Sequence, residues 1–310
     1  MPPTPKVAIV VLNWNGWEDT RECLESLKGL TYLSFEAYAV DNGSTDGSPD
    51  RIADSFPEVR LLRLPENRGF AGGMNAGLKA ALKDGHDFVL CLNNDMIVDP
   101  GLLEPLVATA IGEKVVPYPA IYQYGHRGVL DNVGQRINLF TGMTWMVAHG
   151  SRRLPESIEA DYTEVPLFSR ELLEVLGGWK EEYFALYEDA DLCLRIQRAG
   201  WKVVCVPEAK VYHKRGRTAG RVPGLVSYYS IRNRLLVVRS HGTKWHYLTT
   251  LLHILLLTIP YIGLHRLLTP NYKHSLRHVL LGLTDGLFPW RRRISRAWQM
   301  SGPNPSVSRR

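Results

Sequence analysis

The sequence predicts an α/β fold with a mostly parallel central sheet, flanking helices and a C-terminal helical extension. Short apolar runs alternate with helical patterns through the first half, as expected for strands covered on both faces. Polar clusters follow several of these runs, at the strand ends where parallel sheets bind ligands. The 310 residues, 45% apolar and 22% charged, suffice for one large domain with an appendage.

The first half of the chain supplies the alternating units in order. The run VAIVVL at 7–12 predicts a strand, and the leucines that follow Asn15-Gly16 predict a helix to about Lys28. Next come a strand at 35–40, a helix at 48–55, a strand at 60–64, a helix at 74–82 and a strand at 88–92. We therefore expect the polar clusters of this half on one edge of the sheet.

The second half is predicted to complete the same fold. Residues 110–165 contain Pro117, Pro119 and only weak alternation, which predicts irregular strands and loops that cover the site. A helix at 169–176, a helix at 189–199 and a strand at 203–206 follow. No internal repeat or low-complexity linker separates the halves.

The most apolar segment is 247–264. His253 and Pro260 interrupt it, and it falls short of the roughly 20 residues that a membrane helix needs. A helix lying on a membrane, an ordinary packed helix and a true span all stay open. Trp245 and the basic tail from Arg291 suit a position at a membrane surface.

The formal net charge of +6 is concentrated in KRGRTAGR at 214–221 and in the tail. Such clusters favour partners that carry phosphate, whether nucleic acid, sugar nucleotide or anionic lipid. The interleaved basic and aromatic residues that single-stranded nucleic acids need are absent from the sequence, so we expect no nucleic acid partner.

The cysteines predict a reducing, cytoplasmic environment. None forms a CxxC pair or a metal-finger spacing, so we expect reduced core residues rather than ligands or disulfides. The N-terminus lacks the charged head and long apolar stretch of a signal peptide, which argues against export. The four residues are Cys23, Cys91, Cys193 and Cys205.

The segment VDNGSTDGS at 40–48 places Asp41 at the end of a predicted strand. A carboxylate there can accept a hydrogen bond from a uracil or thymine ring N–H, or from a ribose hydroxyl. An Asx-turn followed by a helix cap at Asp46 or Ser48 explains the same residues. The sequence leaves both interpretations open.

A glycine-rich turn, ENRGFAGGMNAG at 66–77, enters a predicted helix. Backbone N–H groups and the helix dipole favour phosphate at such a place. The spacing is neither the G-x-G-x-x-G of a dinucleotide fold nor that of a P-loop. Arg68 either contacts a phosphate or is a solvated surface charge.

The motif LNND ends a third strand on the same predicted edge. Asp95 beside a diphosphate can hold Mg²⁺ or Mn²⁺, which are usually bound by one or two carboxylates and substrate oxygens. Asn93 and Asn94 would then orient ribose and a metal-bound water. An asparagine-rich turn is the alternative.

Acidic residues crowd a helix N-terminus at Glu188, Asp189 and Asp191, where the helix dipole stabilises them. A cap explains these residues, but it does not explain the aromatic residues before them. Those side chains suit a wall for a sugar or lipid-linked acceptor. They are Trp179, Tyr183, Phe184 and Tyr187. His213 follows the next strand and is either structural or a metal ligand.

Seven motifs in order resemble the inverting glycosyltransferases of family 2, and within them the rhamnosyltransferase-like branch. They are VLNWNG, VDNGSTDGS, ENRGFAGGMNAG, LNND, GGW with ALYEDADLCLR, VYH and YYSIRNRLL, and the match spans roughly 6–240. The resemblance implies a GT-A fold over 1–240, with a nucleotide-sugar half at about 1–100 and an acceptor half at about 101–240. Residues 241–310 lie beyond the match, and their composition predicts a helical, basic extension for which membrane association is one of the open alternatives.

The resemblance also implies a reaction and its residues. A sugar, with dTDP-rhamnose the favoured donor, would move from a nucleotide diphosphate to a glycan or lipid-linked hydroxyl by single displacement, with Mg²⁺ or Mn²⁺ bound. Asp189 would be the general base, and Asp95 and His213 the metal ligands. The donor would contact Leu12, Asn13, Trp14, Asn15, Asp41, Asn42, Arg68, Gly72 and Asn94. The acceptor would contact Trp179, Tyr187 and Glu188.

The leaving diphosphate would be met by the metal, by the helix N-terminus after Gly73, and by Arg215 or Arg217. The stretch ADYTEVPLFSRELLE before GGW departs from the glycine-containing apolar segment of the family, so the donor half of the resemblance is the firmer one. A nucleotidyltransferase would need a Gly- and Arg/Lys-rich loop after the first strand, which VLNWNG lacks. A noncatalytic sugar-nucleotide binding protein is the other alternative.

Overall fold

The computed structural model describes residues 4–126, 128–215, 224–268 and 276–289. The strands in these residues are β1 (Val7–Asn13), β2 (Phe35–Asp41), β3 (Arg60–Arg63), β4 (Phe88–Asn93), β5 (Met96–Val98), β6 (Val115–Gln123), β7 (Leu130–Asn132), β8 (Gln135–Asn138), β9 (Met143–Met146), β10 (Leu167–Ser169) and β11 (Lys202–His213). They form a five-stranded sheet, a four-stranded sheet and the β8–β9 hairpin.

The helices follow the same chain order. They are α1 (Trp17–Leu27), α2 (Ser48–Ser55), α3 (Gly69–Lys83), α4 (Leu103–Ala110), α5 (Arg170–Leu176), α6 (Glu188–Arg198), α7 (Leu225–His241), α8 (Lys244–His253), α9 (Ile259–Leu268) and α10 (Leu276–Leu287). A 3₁₀ turn at Glu181–Tyr183 precedes α6, and a π-helical segment at Ile254–Thr258 joins α8 to α9.

The larger sheet has the order β10-β4-β1-β2-β3, with β4, β1, β2 and β3 parallel and β10 antiparallel at the edge. Its register places Asn13 beside Asp41 and Leu12 beside Asn93. The polar residues that end β1, β2 and β4 therefore meet on one edge, which confirms the expectation from the sequence.

Strand β1 is the centre of the core because both of its faces are covered. Val7, Ile9 and Val11 pack into one apolar cluster with α1 and α4, while Ala8 and Val10 pack into a second with α3, α5 and α6. All five side chains are fully buried. Burying one such Val or Ile side chain contributes about 1.5–3 kcal/mol, which explains why the apolar run is continuous.

Helix α3 begins at Gly69, five residues earlier than the predicted start at 74. The glycines that suggested a loop lie inside the helix, where α3 meets the sheet. A Cβ on Gly73 would lie 2.4 Å from Leu12 Cδ1, and one on Gly77 would lie 2.3 Å from Val10 Cγ1. These glycines allow close helix–sheet approach and do not break the helix.

The second sheet, in the order β5-β11-β6-β7, corrects two predictions. Residues 110–165 contain the nine-residue strand β6, and the strand predicted at 203–206 continues to His213 after a register shift between Val206 and Lys210. In the sequence, Pro117 and Pro119 argued against a regular strand at this position. Both prolines precede the residues that pair with β7, so no ladder bond to β7 is lost.

The C-terminal helices pack beside α6. Helix α7 contacts α6, α8 and α10. The segment Lys244–His265 is longer than expected from 247–264, and it is the one described helix whose length and composition would allow it to cross a membrane. The basic tail from Arg291 and most of the 214–221 cluster lie outside the described residues. A domain boundary at 240 stays a prediction.

All four cysteines are free thiols, as expected. Three of them are fully buried, and burial raises their pKa above the usual value, so the thiols stay protonated at neutral pH. They behave as small apolar core residues, not as ligands or nucleophiles.

Candidate active site

A cavity of about 590 Å³ opens at the polar edge of the larger sheet. Its size is that of a pocket for a ligand such as a sugar nucleotide. The sequence-predicted residues that line it are Leu12, Trp14, Asn42, Asn93, Asn94, Asp95, Phe184, Tyr187, Glu188, Asp189, His213 and Arg215. Those that lie outside its lining are Asn13, Asn15, Asp41, Arg68, Gly72 and Trp179. Residues that the sequence did not suggest include Gln135, Thr144, Tyr162, Glu164 and Ser230.

Asn13 and Asp41 are buried at the ends of β1 and β2, beneath the cavity. The Asn13 amide donates to Asp41 Oδ1 at 2.8 Å and to Ser48 Oγ at 2.7 Å. Asp41 Oδ2 also accepts from the backbone N–H of Ser44 at 3.1 Å. The two side chains hold the loop after β2 against the end of β1, and both are less than 3% exposed. They are scaffold residues beneath the cavity surface.

Asn15 serves the same loop from the other side. Its Oδ1 accepts from the backbone N–H of Thr45 at 2.7 Å, and its own N–H donates to Ser44 Oγ at 2.9 Å. Its φ of 50° is a left-handed conformation that asparagine tolerates. The turn VLNWNG is therefore tied to VDNGSTDGS by side chain and backbone together.

Three backbone N–H groups at the start of α3 already have acceptors within the protein. Arg68 N–H donates to Asn42 Oδ1 at 2.9 Å, Gly69 N–H to Asn67 Oδ1 at 2.8 Å, and Phe70 N–H to the Phe184 carbonyl at 2.6 Å. The expectation of a helix N-terminus after Gly73 was wrong, because α3 begins at Gly69.

Arg68 turns away from the cavity. Its guanidinium donates to both carboxylate oxygens of Glu181, at 2.8 and 3.0 Å. Gly72 faces the same side, since a Cβ there would lie 2.7 Å from Arg68 Cβ. The prediction that Arg68 and Gly72 contact the donor therefore finds no support in their positions.

Asp95 and His213 lie together, as predicted. His213 Nε2 is 3.2 Å from Asp95 Oδ1, and its Nδ1 is 3.5 Å from Asp131 Oδ2 and 3.9 Å from Glu164 Oε1. One ligand atom each from Asp131, Glu164 and His213 lies within 4.8 Å of the others. Carboxylates with an imidazole fit Mg²⁺ or Mn²⁺.

Sequence reasoning missed Asp131 and Glu164 because both come from the stretch taken as irregular. Asp131 is the middle residue of β7, and Glu164 precedes β10 in the stretch that departs from the family pattern. A signal was present in both cases. Each is an acidic residue beside an apolar run, LDNV and TEVPLF, as Asp95 is in LNNDMIV.

Charges in this cluster compensate one another. Burial alone lowers the pKa of His213, but Asp131 and Asp95 outweigh it and raise that pKa to about 10. Burial raises the pKa of Asp131, but hydrogen bonds from His213 and Arg215 leave it below its usual value. Arg215 therefore pairs with Asp131 in this structure, while Arg217 lies outside the described residues.

Asp189 is the second residue of α6 and lines the cavity. Trp179 donates its Nε1–H to Asp189 Oδ1 at 2.8 Å and is itself buried against Phe70 and Phe168. Of the four residues of the predicted aromatic wall, Phe184 and Tyr187 line the cavity, whereas Trp179 and Tyr183 lie outside its lining. Burial, followed by the charge of Glu188, raises the pKa of Asp189 despite the Trp179 bond.

Glu188 and Tyr187 border the same end of the cavity. Burial raises the pKa of Glu188 to about 7, and its Oε2 has no hydrogen-bond partner among the described residues. Tyr187 donates its hydroxyl to the Gly142 carbonyl at 2.9 Å, which links the loop before α6 to the β8–β9 hairpin. The arrangement can accept a proton from a bound hydroxyl group.

Comparison with known proteins gives a consistent family. The model of Glycosyl transferase family 2 matches residues 8–177. An N-acetylglucosaminyl-diphospho-decaprenol L-rhamnosyltransferase of Mycobacterium tuberculosis is 28% identical over 250 residues, which cover 71% of this chain and 80% of that protein. The dTDP-rhamnosyl transferase RfbF of Shigella flexneri is 23% identical over 65% of this chain and 70% of its own.

Among solved structures, the mannosyltransferase PcManGT of Pyrobaculum calidifontis, in complex with GDP-Man and Mn²⁺, aligns with a TM-score of 0.55 at 17% identity. The alignment covers 94% of this chain and 89% of that one. At this identity the likeness concerns the fold, and it agrees with the GT-A architecture described above. With more than half of its length matched by the family model, the chain belongs to glycosyltransferase family 2.

Proposed function

We propose that the protein transfers a sugar from a nucleotide-diphosphate donor, dTDP-rhamnose in the favoured case, to a hydroxyl of a glycan or lipid-linked acceptor. The observation that carries the proposal is one cavity lined by both the Asp189 carboxylate and the Asp95–His213 pair. Two relatives support the sugar and the acceptor by their names, which specify rhamnosyl transfer and, in one case, a diphospho-decaprenol substrate.

The donor would lie along the end of the larger sheet. Leu12, Trp14, Asn42 and Asn94 line the cavity there and would contact base and ribose. Asn13, Asn15 and Asp41 would act one layer below, by holding the two loops that carry these residues. The cavity-lining residues would therefore contact the donor directly, and the three buried residues would support them.

Asp95 and His213 would hold a Mg²⁺ or Mn²⁺ ion, with Asp131 or Glu164 completing the set. Such an ion would offset the negative charge that grows on the diphosphate as it leaves. The solved neighbour that contains GDP-Man and Mn²⁺ supports a divalent metal in this fold.

Asp189 would act as the general base. Its carboxylate accepts the proton of the acceptor hydroxyl while that oxygen bonds to the anomeric carbon, and the bond from that carbon to the diphosphate oxygen breaks on the opposite face. The configuration inverts and no covalent enzyme intermediate forms. Trp179 holds the carboxylate in place, and Tyr187 and Glu188 border the acceptor. General base catalysis contributes about 10² to 10⁴ in rate.

The test uses the purified full chain with dTDP-rhamnose, UDP-GlcNAc and GDP-mannose, with and without Mn²⁺. Ligand at 100 times its dissociation constant stabilises a protein by about 2.7 kcal/mol, which a thermal shift detects. Asp189→Asn should keep this donor response and lose transfer by about 10²-fold or more. The exposed Asp54→Asn on α2 is the matched control. Full transfer by Asp189→Asn would overturn the base assignment.

We also propose peripheral contact with the cytoplasmic face of a membrane. The helical segment 244–265 presents a continuous apolar surface, and every side chain in the following list is more than 40% exposed: Trp245, Leu248, Leu252, Leu255, Leu256, Leu257, Tyr261 and Leu264. Residues 241–310 contain ten Lys or Arg and one acidic residue, while the preceding 240 contain 27 and 30. An exposed apolar helix in a basic part of the sequence suits an anionic bilayer.

The position of this surface fits a lipid-linked acceptor. The Phe140 ring, at the β8–β9 turn, lies 4.2 Å from the ring of His246 on α8, and Thr249 Oγ1 donates to the Phe140 carbonyl at 2.7 Å. The same hairpin contributes Thr144 to the cavity lining. The apolar helix therefore adjoins the acceptor side of the cavity.

Co-sedimentation with vesicles tests this contact. We expect binding to vesicles that contain phosphatidylglycerol, weaker binding to phosphatidylcholine alone, and loss of binding in Leu255→Glu/Leu256→Glu. Leu33→Glu is the control, since Leu33 is 92% exposed on a distant loop. Equal loss in both variants, or no binding by the wild type, would overturn the membrane proposal.

A further inference from the structure

The motif YYSIRNRLL has no part in the reaction proposed above, although three consecutive polar residues within it are buried. Arg232, Asn233 and Arg234 lie in the middle of α7 and are 6%, 0% and 5% exposed. Burying amides and guanidinium groups is costly unless their hydrogen bonds are satisfied. The partners of these side chains therefore indicate what the motif does.

Asn233 binds the loop that leads into α6. Its Nδ2 lies 2.8 Å from the carbonyl oxygens of Tyr183 and Ala185 and 2.7 Å from that of Leu186, and its Oδ1 accepts from Arg232 at 2.6 Å. One amide therefore serves three carbonyls of a single turn.

That loop is unusual in its backbone. Phe184, Leu186 and Tyr187 have φ values of 62°, 69° and 68°, a left-handed region that non-glycine residues rarely occupy. Each such residue costs on the order of 1 kcal/mol or more and persists only where its surroundings hold it. The side chain of Asn233 supplies part of that restraint.

Arg232 and Arg234 bind the backbone on either side of Asn233's contacts, one at the start of the same loop and the other at the β8–β9 hairpin. Arg232 donates to the Glu182 carbonyl at 2.8 Å, at the start of the loop. Arg234 donates its Nε–H to the Thr141 carbonyl at 2.5 Å, at the turn of the β8–β9 hairpin. A Cβ on Gly142 would lie 2.5 Å from Arg234 Cγ, so the hairpin packs directly on this side chain.

The loop and the hairpin form one side of the cavity. The loop contributes Phe184 to Tyr187 and leads directly into Glu188 and Asp189, while the hairpin contributes Gln135 and Thr144. The Tyr187–Gly142 hydrogen bond joins the two. Within the described part of the chain, the hydrogen bonds of these three side chains do not reach the loops after β1 and β2.

We propose that Arg232, Asn233 and Arg234 are positioning residues that preform the acceptor side of the site. Asn233 fixes the loop that sets the position of Asp189, and Arg234 fixes the hairpin that faces it. The inference rests on the proposed role of Asp189 as base. It assigns to α7, which lies beyond the residues matched by the family model, a part in catalysis.

Asn233→Ala tests the proposal because it removes the amide and leaves the carbonyls of the strained loop without it. We expect kcat to fall about 10²-fold while the dissociation constant for the nucleotide diphosphate changes less than twofold. A loosened loop exposes Asp189 to water, which lowers its pKa, so the acid limb of the rate profile should move to lower pH. Loss of stability alone would not move that limb.

Arg198→Ala is the matched control. Arg198 also donates to backbone carbonyls, those of Ser240 at 3.2 Å and His241 at 2.6 Å, but at the end of α7 away from the cavity. We expect its kcat and pH profile to equal the wild type. Arg234→Lys, which keeps one charged donor, should show an intermediate kcat and serves if Asn233→Ala does not fold.

Hydrogen exchange separates this inference from the proposed reaction. Amides of 183–187 should exchange faster in Asn233→Ala than in the wild type, whichever donor proves correct. Unchanged exchange there, wild-type kcat in folded Asn233→Ala, or equal loss of kcat and nucleotide affinity would overturn the positioning role. An inactive wild type with faster exchange in the variant would refute the reaction only.

Discussion

The proposed donor side of the cavity, at the ends of β1, β2 and β4, and the proposed acceptor side, formed by the loop 183–187 and the β8–β9 hairpin, are built in different ways. On the donor side, residues at the ends of neighbouring strands bond each other directly, and Asn13 and Asp41 are only 28 residues apart. On the acceptor side, a helix 50 residues away holds the loop by its backbone carbonyls. The first construction depends on sheet register, and the second depends on a few buried polar side chains.

This difference indicates which parts of the site should tolerate substitutions. The proposed donor side is built on β1, which has parallel partners on both sides, and the side chains of Asn13, Asn15 and Asp41 hold the loops at its end. The proposed metal cluster, which consists of Asp95, Asp131, Glu164 and His213, and the proposed acceptor side both depend on groups from segments that are distant in the sequence. Substitutions there should change chemistry more than they change stability.

The largest effect is expected from a substitution in the proposed metal cluster. Asp131→Asn removes the negative charge that faces His213 Nδ1 at 3.5 Å; as a ligand or as a partner that orients the histidine, such a carboxylate would contribute about 10- to 100-fold in metal affinity. We expect a loss of that size in Mn²⁺ binding, measured by calorimetry on the full chain. Asp161→Asn, whose carboxylate accepts from Ile137 N–H in the same half, should bind Mn²⁺ normally.

A smaller effect tests the donor side. Gly77→Ala places a Cβ 2.3 Å from Val10 Cγ1, and overpacking of this kind costs about 1–3 kcal/mol. We expect a lower melting temperature with unchanged Mn²⁺ affinity. Gly29→Ala, whose Cβ would meet only Ser26 O at 3.5 Å, should leave the melting temperature nearly unchanged. Metal loss in Gly77→Ala would show that the two sides are not independent.

The smallest effect concerns pH. Glu188→Gln removes the neighbouring charge that raises the pKa of Asp189, so the acid limb of kcat/KM should move to lower pH. The exposed Glu171→Gln should not move it. An unmoved limb in Glu188→Gln would assign the raised pKa of Asp189 to burial and to the charge of Glu164.

The same variant has a stability readout. The folded pKa of Glu188, about 7, is above its ordinary 4.5, so the folded state binds the extra proton. The free energy of unfolding of the wild type should therefore fall as pH rises from about 4.5 through about 7. In Glu188→Gln this contribution should be absent, as measured by denaturant titration across that range.

The parts of the fold that depend on local pattern were predictable. β1, β2, α2 and β4 follow from apolar runs and turn residues, and their ends carry the donor motifs as expected. The α3 start was missed because glycine signals both a turn and a close contact, and only the position of Val10 and Leu12 distinguishes them.

The acceptor side could not be predicted to the same depth. Asp131 and Glu164 can be recognised as candidate metal ligands only from their distance to His213. The role of Trp179 is visible only from its hydrogen bond to Asp189. Arg68 looked available to a phosphate until Glu181, 113 residues later, was found to bind it. These contacts depend on tertiary packing, which no spacing in the sequence reveals.

The strand pairing behind the metal cluster also has a consequence for synthesis. His213 pairs with Met96 across the β5–β11 ladder, and Lys214 N–H donates to the Asp95 carbonyl at 3.0 Å. During translation His213 is therefore the 118th residue made after Asp95. A chain still on the ribosome contains the strands of the proposed donor side early, but its proposed ion site is incomplete until β11 is made.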